Sequence, residues 1–164
     1  MRLKAIPGWA SHIPLLIKAF NATEGDVLEL GIGFFSTSLL YWLCEDAGRN
    51  LFSYEDNFKF FRIFRFYFGF KGHRGYLVKD WDKIDIDREW GLAFVDHNGD
   101  RREKEIKRLA DKAKIIIAHD TDPKSDEFYN YKRVWPLFKY RYDYTKFSPH
   151  TSALSNFVDL NFLA

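Results

Sequence analysis

Apolar residues fall in two rhythms along this chain: short continuous runs and helical stripes. The runs cover 26–30 (Asp-Val-Leu-Glu-Leu), 51–54 (Leu-Phe-Ser-Tyr), 91–95 (Gly-Leu-Ala-Phe-Val) and 114–118 (Lys-Ile-Ile-Ile-Ala). Continuous runs of this length read as strands covered on both faces. A shorter run at 76–78 predicts a further strand. Between the runs lie stripes of helical period. One has apolar positions 13, 16, 17 and 20; another spans 36–46 and stops at Gly48. A third starts at the N-cap candidate Asn57 and runs to about 68, ending at Gly69. A charged stripe covers 101–112, with Ile106, Leu109 and Ala113 on one face. Past a turn at Pro123 and a short helix, 137–144 and 153–160 alternate as an antiparallel pair does. Strand and helix in alternation predict a single α/β domain over 1–164. Its sheet is mostly parallel and Rossmann-like, with helices on both faces and a C-terminal antiparallel strand pair. The expected parts are an N-terminal helix over 8–21, a nucleoside-binding half over 26–90 and a substrate-side half over 91–164.

Punctuation at the ends of those strands carries the candidate chemistry. The first run ends in Gly31-Ile32-Gly33, and the second in Glu55, 24 residues after Gly31. Glycines there let the backbone come close to a ligand, and Glu55 can accept hydrogen bonds from ribose hydroxyls. A tight strand-to-helix turn with no ligand is the plainer reading of the glycine pair alone. Ser36 stands where a dinucleotide fingerprint has its third glycine, and Phe34 and Phe35 would crowd a pyrophosphate, which argues against NAD. Asp96-His97 and His119-Asp120 end the fourth and fifth strands. Ligands of open α/β sheets bind beyond such ends. The residues leave two roles open, general base and divalent-metal ligand, beside the plainer roles of strand-end cap and solvated turn.

Composition narrows the setting. Lys and Arg total 25 against 23 Asp and Glu, a balance that does not point to nucleic acid. One cysteine excludes an internal disulfide and a cysteine zinc cluster. The first residues lack a signal-peptide core, and no apolar run has membrane-spanning length. A cytoplasmic protein is the expectation. Glutamine is absent, which fits selection for heat as well as the compositional scatter of a short chain. The stretch Phe58 to Phe70 interleaves aromatics with Lys59, Arg62 and Arg65. Positions 60, 61, 64 and 68 share one helical face, so a core stripe with a solvated basic face explains it better than base stacking. The aromatics left at 66, 67 and 70 point to an exposed patch and a homodimer contact. Arg101 and Arg102 read as a solvated helix start, or as a rim site for an anion.

The order of these features resembles the class I S-adenosylmethionine-dependent methyltransferases over nearly the whole chain. Glu29-Leu-Gly31-Ile-Gly33 is similar to that family's first motif. The resemblance implies S-adenosyl-L-methionine as cofactor, held by Glu29, Gly31, Ile32, Gly33, Glu55, Asp80, Trp81 and Asp96. In it, Asp80 would accept from the adenine amine and Trp81 would stack on the ring. Asp80-Trp81-Asp82, Trp90-Gly91, Val95-Asp96-His97, Arg101-Arg102, His119-Asp120-Thr121 and Ser155-Asn156 resemble a group of small methyltransferase-like proteins. Phe94-Val-Asp-His97 and Ala118-His-Asp120 are locally similar to catechol-type O-methyltransferases, implying Mg2+ on Asp96 and Asp120. Gly99 stands where that group has its lysine base.

The resemblance implies methyl transfer, most simply to the oxygen of a small or sugar-like acceptor, with Asp96, His97, His119 and Asp120 as the catalytic set. Two other functions remain: a non-catalytic nucleoside-binding protein on the same fold, and a metal-dependent hydrolase. The span from Asp80 to Trp90 is too short for a full crossover helix and no cap domain is inserted, so the site should be open or completed by a second subunit.

Overall fold

A computed structural model describes residues 7–69, 72–97 and 101–164. One seven-stranded sheet runs through it in the order β3-β2-β1-β4-β5-β7-β6. The strands are β1 (Val27–Leu30), β2 (Leu51–Glu55), β3 (His73–Leu77), β4 (Trp90–Val95), β5 (Ala113–His119), β6 (Tyr140–Tyr144) and β7 (Thr151–Ser155). The first five are mutually parallel, while β7 runs antiparallel to both β5 and β6. The helices are α1 (Ile13–Asn21), α2 (Thr37–Ala47), α3 (Phe58–Phe64), α4 (Arg102–Leu109) and α5 (Asp126–Tyr129).

Side-chain period two sorts the strand residues onto two faces. Leu28, Phe52, Ala93 and Ile116 join Ile106 and Leu109 of α4 in one core. Val27, Leu51, Leu92 and Ile115 join Leu15 and Leu16 of α1 and Leu40 of α2 in the other. Both faces are covered, which is why these strands read as unbroken apolar runs. Helix ends follow their local chemistry. Asn57 caps α3 by accepting from the Lys59 amide at 3.0 Å, and Gly48 closes α2 in the left-handed conformation, at φ 65°.

Three boundaries differ from the sequence expectation. The third strand covers His73–Leu77 rather than 76–78; it is an edge strand, with only His73 fully buried. The closing pair is Tyr140–Tyr144 with Thr151–Ser155: the first strand starts later than the 137–144 expected, and the second lies earlier than the 153–160 expected, because three polar residues of β7 lie inside the core. The charged helix ends at Leu109, and Ala113 opens β5. Between β3 and β4 there is only a single 3-10 turn, Trp81–Lys83, in line with the short span.

Order reverses between β1 and β4, where the sheet parts at its carboxyl end. Gly31 makes that point possible. Its φ is +99°, and a Cβ there would lie 2.5 Å from the His97 amide nitrogen and 2.6 Å from the Asp96 carbonyl carbon. The glycine thus serves the approach of one strand end to the other. Gly31→Ala is expected to destabilise the protein by about 2–4 kcal/mol, from left-handed strain plus overpacking. Urea denaturation of the variant beside wild type checks this; an unchanged midpoint would contradict it.

Candidate active site

Beyond the carboxyl ends of β1, β2, β4 and β5 lies a cleft of about 380 Å³. Its floor is the Gly31-Ile32-Gly33 turn, with Glu55 at one end and Asp96, His119 and Asp120 at the other. Phe34 and Phe60 form an apolar side wall, their ring centres 5.9 Å apart.

Glu55 is held ready by backbone donors: Oε2 accepts from the Ile32 amide at 2.8 Å and Oε1 from the Asn57 amide at 2.6 Å. Each oxygen keeps a second lone pair. Burial pushes its carboxyl up to about 7, against those two amide bonds.

Glu29 does not border the cleft. It is fully buried beneath the turn, where Thr37 donates to it at 2.9 Å and Ser53 at 2.5 Å. The Thr37 hydroxyl in turn accepts from the Gly33 amide at 3.0 Å, so Glu29 braces the glycine turn from below. Burial raises its carboxyl to about 7 as well. Between the ordinary carboxylate range and that value the folded protein holds a proton that the unfolded chain releases. Stability therefore falls as pH rises through that window. Glu29→Gln is expected to remove about 3 kcal/mol of that decline. The amide fits the neutral hydrogen-bond pattern, because Ser53 can accept from it and donate to His73, 2.9 Å away. Denaturation midpoints from pH 5 to 8 decide it: parallel wild-type and variant curves would contradict the assignment.

Asp80 and Trp81 stand outside the cleft, for identifiable reasons. The Asp80 carboxylate caps the 3-10 turn through the Asp82 amide at 3.0 Å and pairs with Lys83 at 3.1 Å, on the surface. Trp81 is in the core, donating to Asp56 at 3.1 Å and packing on the His97 ring at 4.3 Å. His97 borders the cleft, but its ring turns under the surface, where Nε2 meets the fully buried Glu105 at 3.2 Å.

At the end of the cleft opposite Glu55, Asp96 Oδ1 meets His119 Nδ1 at 3.1 Å. Ser11 Oγ donates to the Pro149 carbonyl at 2.7 Å, so it accepts from His119 Nε2–H at 2.8 Å. Burial opposes charge on both partners, yet their mutual attraction prevails. Asp96 is held down to about 2, and His119 titrates above the usual histidine value. Asp120 closes β5 in the left-handed region, at φ 55°.

Two residues of this end have no local signal in the sequence. Arg102, expected as solvated or at the rim, is buried and forks between strand ends. It donates to Asp96 at 3.0 Å, Asp120 at 3.1 Å, the His97 carbonyl at 2.8 Å and the His119 carbonyl at 2.8 Å. His12, at the foot of α1, lines the cleft beside His119. Arg102 also bears on the Mg2+ that the resemblance implies at Asp96 and Asp120. A guanidinium already neutralises both carboxylates, and the donors that remain nearby are imidazoles, so the residues do not suit a hard oxygen-seeking ion. Gly99, at the lysine position, and Phe70, of the aromatic patch, lie outside the described residues. Of that patch, Phe66 is exposed and Tyr67 half-buried. Among the described residues, no helix is long and apolar enough to cross a membrane.

Comparison with solved structures shows that this is the class I methyltransferase fold. An O-methyltransferase from Bacillus cereus in complex with SAH is similar over 93% of this chain and 82% of its own, with a TM-score of 0.65 and 14% identity. M. capricolum TrmK in complex with S-adenosylhomocysteine is similar over 85% of this chain and 66% of its own (TM-score 0.55, 16% identity). The METTL16 methyltransferase domain is similar over 96% of this chain and 71% of its own (TM-score 0.66, 9% identity). No protein-family model and no curated protein sequence matches the chain.

Proposed function

We propose that this protein is an S-adenosylmethionine-dependent methyltransferase acting on an oxygen of a small or sugar-like acceptor. The observation that carries the reading is Glu55. Its carboxylate is fixed by two backbone amides beside a glycine turn, with lone pairs left for a ribose, one strand away from the switch point of this sheet. The cleft volume lies within the range of pockets that hold ligands of this size. Two of the similar structures were solved with the demethylated cofactor bound.

In this reading Glu55 binds the ribose, the backbone of Gly31 to Gly33 underlies the cofactor, and Phe34 and Phe60 flank its base. The bound cofactor supplies an activated methyl on a sulfonium. The acceptor sits over Asp96 and His119, in line with that methyl. Methyl transfer there would join the acceptor oxygen to the methyl carbon and leave the carbon–sulfur electron pair on sulfur. With Nε2–H fixed by Ser11 and Nδ1–H held to Asp96, His119 would orient the Asp96 carboxylate, which would take the hydroxyl proton. Orientation supplies most of the rate.

RNA is the alternative acceptor that the similarity to a Pyrococcus abyssi tRNA (uracil-54, C5)-methyltransferase raises. The near-neutral charge and the small cleft favour a small molecule. Calorimetric titration with S-adenosylmethionine and S-adenosylhomocysteine tests the proposal, with binding of both at one site expected. A wild-type protein that binds neither would overturn it.

A further inference from the structure

His12 is a buried polar group that the fold leaves unexplained. It is only 1% exposed, and neither ring nitrogen has a hydrogen-bond partner among the described residues. The ring packs on Phe94 at 4.7 Å and stands edge-on to His119 at 4.9 Å. Buried polar atoms in native proteins are almost always paired, so two orphaned nitrogens on one ring beside a cleft ask for a partner.

A second mismatch lies next to it. Because Ser11 accepts from Nε2–H, a neutral His119 turns a bare Nδ1 toward the carboxylate of Asp96 at 3.1 Å. Two acceptors at that distance need something positive between them, either a proton or a metal ion. The separation also lies close to that of two ligands of one ion: bonds of about 2.1 Å at the tetrahedral angle put ligand atoms about 3.4 Å apart.

The geometry points to a divalent transition-metal site of the zinc type, formed by His12, Asp96 and His119. One ligand atom from each lies within 4.8 Å of the others. Gathering them onto one tetrahedral ion closes the widest gap by at most about 1.4 Å, given bonds of about 2.1 Å. The His12 ring can supply that movement, because no hydrogen bond holds it. Two imidazoles and one carboxylate are a ligand set that suits zinc, cobalt or iron rather than magnesium. Three protein ligands at a cleft leave a coordination position open, as catalytic zinc sites do. The outer shell is also in place: Ser11 fixes the His119 tautomer, and Arg102 orients Asp96.

The ion would take the place of the proton between Asp96 and His119. Its open position would then hold the acceptor oxygen and ease loss of the hydroxyl proton. That last consequence rests on the methyl-transfer reading; the ion site itself does not.

The test uses the full chain, freed of metal by a chelator and titrated with Co2+, Zn2+ and Mg2+. One equivalent of Co2+ should give visible ligand-field bands that Zn2+ abolishes and a thousandfold excess of Mg2+ does not, on the order expected from donor softness. His12→Ala should weaken binding at least about 100-fold, the upper range for even an outer-shell partner. The His150→Ala control, at a half-exposed pair with Asp122, should leave it unchanged. Should His12→Ala lose its thermal transition, His12→Gln replaces it. X-ray absorption of the zinc-loaded wild type then counts the imidazoles. Missing cobalt bands, bands undiminished by loss of His12, or a zinc shell without two imidazoles would each overturn the site. Titration of the metal-free protein with S-adenosylmethionine, run in parallel, reports on the proposed function separately.

Discussion

Glu55→Ala should lower affinity for S-adenosylmethionine by a factor of about 150 to 25,000. Two ribose hydroxyls donating to a carboxylate contribute about 1.5–3 kcal/mol each, and alanine accepts neither. Because burial lifts the Glu55 carboxyl to about 7, the wild type should also bind more weakly as pH falls below neutrality. The ligand selects the ionised form, and protonation then competes with it. Glu55→Gln retains one acceptor; its binding should fall between the two and lose most of the pH dependence. The Ile32 and Asn57 amides lose their acceptor in the alanine variant, so its thermal transition must be recorded alongside. A folded Glu55→Ala protein that binds with wild-type affinity would remove the observation on which the proposed function stands.

Arg102→Met destabilises the protein by about 3–5 kcal/mol at neutral pH. Methionine fills much of the same volume but strands Asp96 and Asp120 without their counter-charge, and breaking such a pair from one side costs that much. It also frees the carbonyls of His97 and His119, which the guanidinium ties together. Arg102→Lys keeps the charge but cannot fork among four acceptors, so it should recover only part of the loss. The deficit should shrink in acid. Asp96 in the wild type stabilises the fold above the ordinary carboxylate range and loses that contribution as pH falls toward about 2. Without Arg102 less remains to lose. Guanidinium denaturation of the three proteins at pH 7 and near pH 2 reads this. Equal stability of Met and Arg forms at pH 7 would mean the cluster is held by other contacts.

The sheet was legible in the sequence where strands are covered twice. Runs such as Gly91–Val95 and Lys114–Ala118 can only be buried strands or buried helix pieces, and their length and flanking acids decide between these. Gly31 and Glu55 were legible for a related reason: both sit at strand ends, where spacing along the chain maps onto spacing in the sheet. The edge strand His73–Leu77 was misplaced because its outer position imposes little burial, and hence little pattern. Asp80 and Trp81 were assigned by resemblance, which carries no information on how one short turn folds. The turn spends the Asp80 carboxylate on its own cap and sinks Trp81 into the core. Arg102 sits in a run of charges that looks solvated, and only its fit between two strand ends buries it. His12 looks like the ordinary start of a helix. Nothing within a window of sequence connects it to a residue at position 119.

That distance along the chain has a consequence for how the protein comes into being. The bond from Ser11 to His119 spans 108 residues, and the one from Ser11 to Pro149 spans 138. Contacts so remote in sequence form late, after the loops between them have closed. On a ribosome, the end of the cleft from Gly31 to Glu55 emerges and can order well before residue 119 is made. The end at Asp96 and His119 must wait for residue 149. A nascent chain would therefore present half a cleft, and the ring of His119 would acquire its fixed proton position only after residue 149 has emerged.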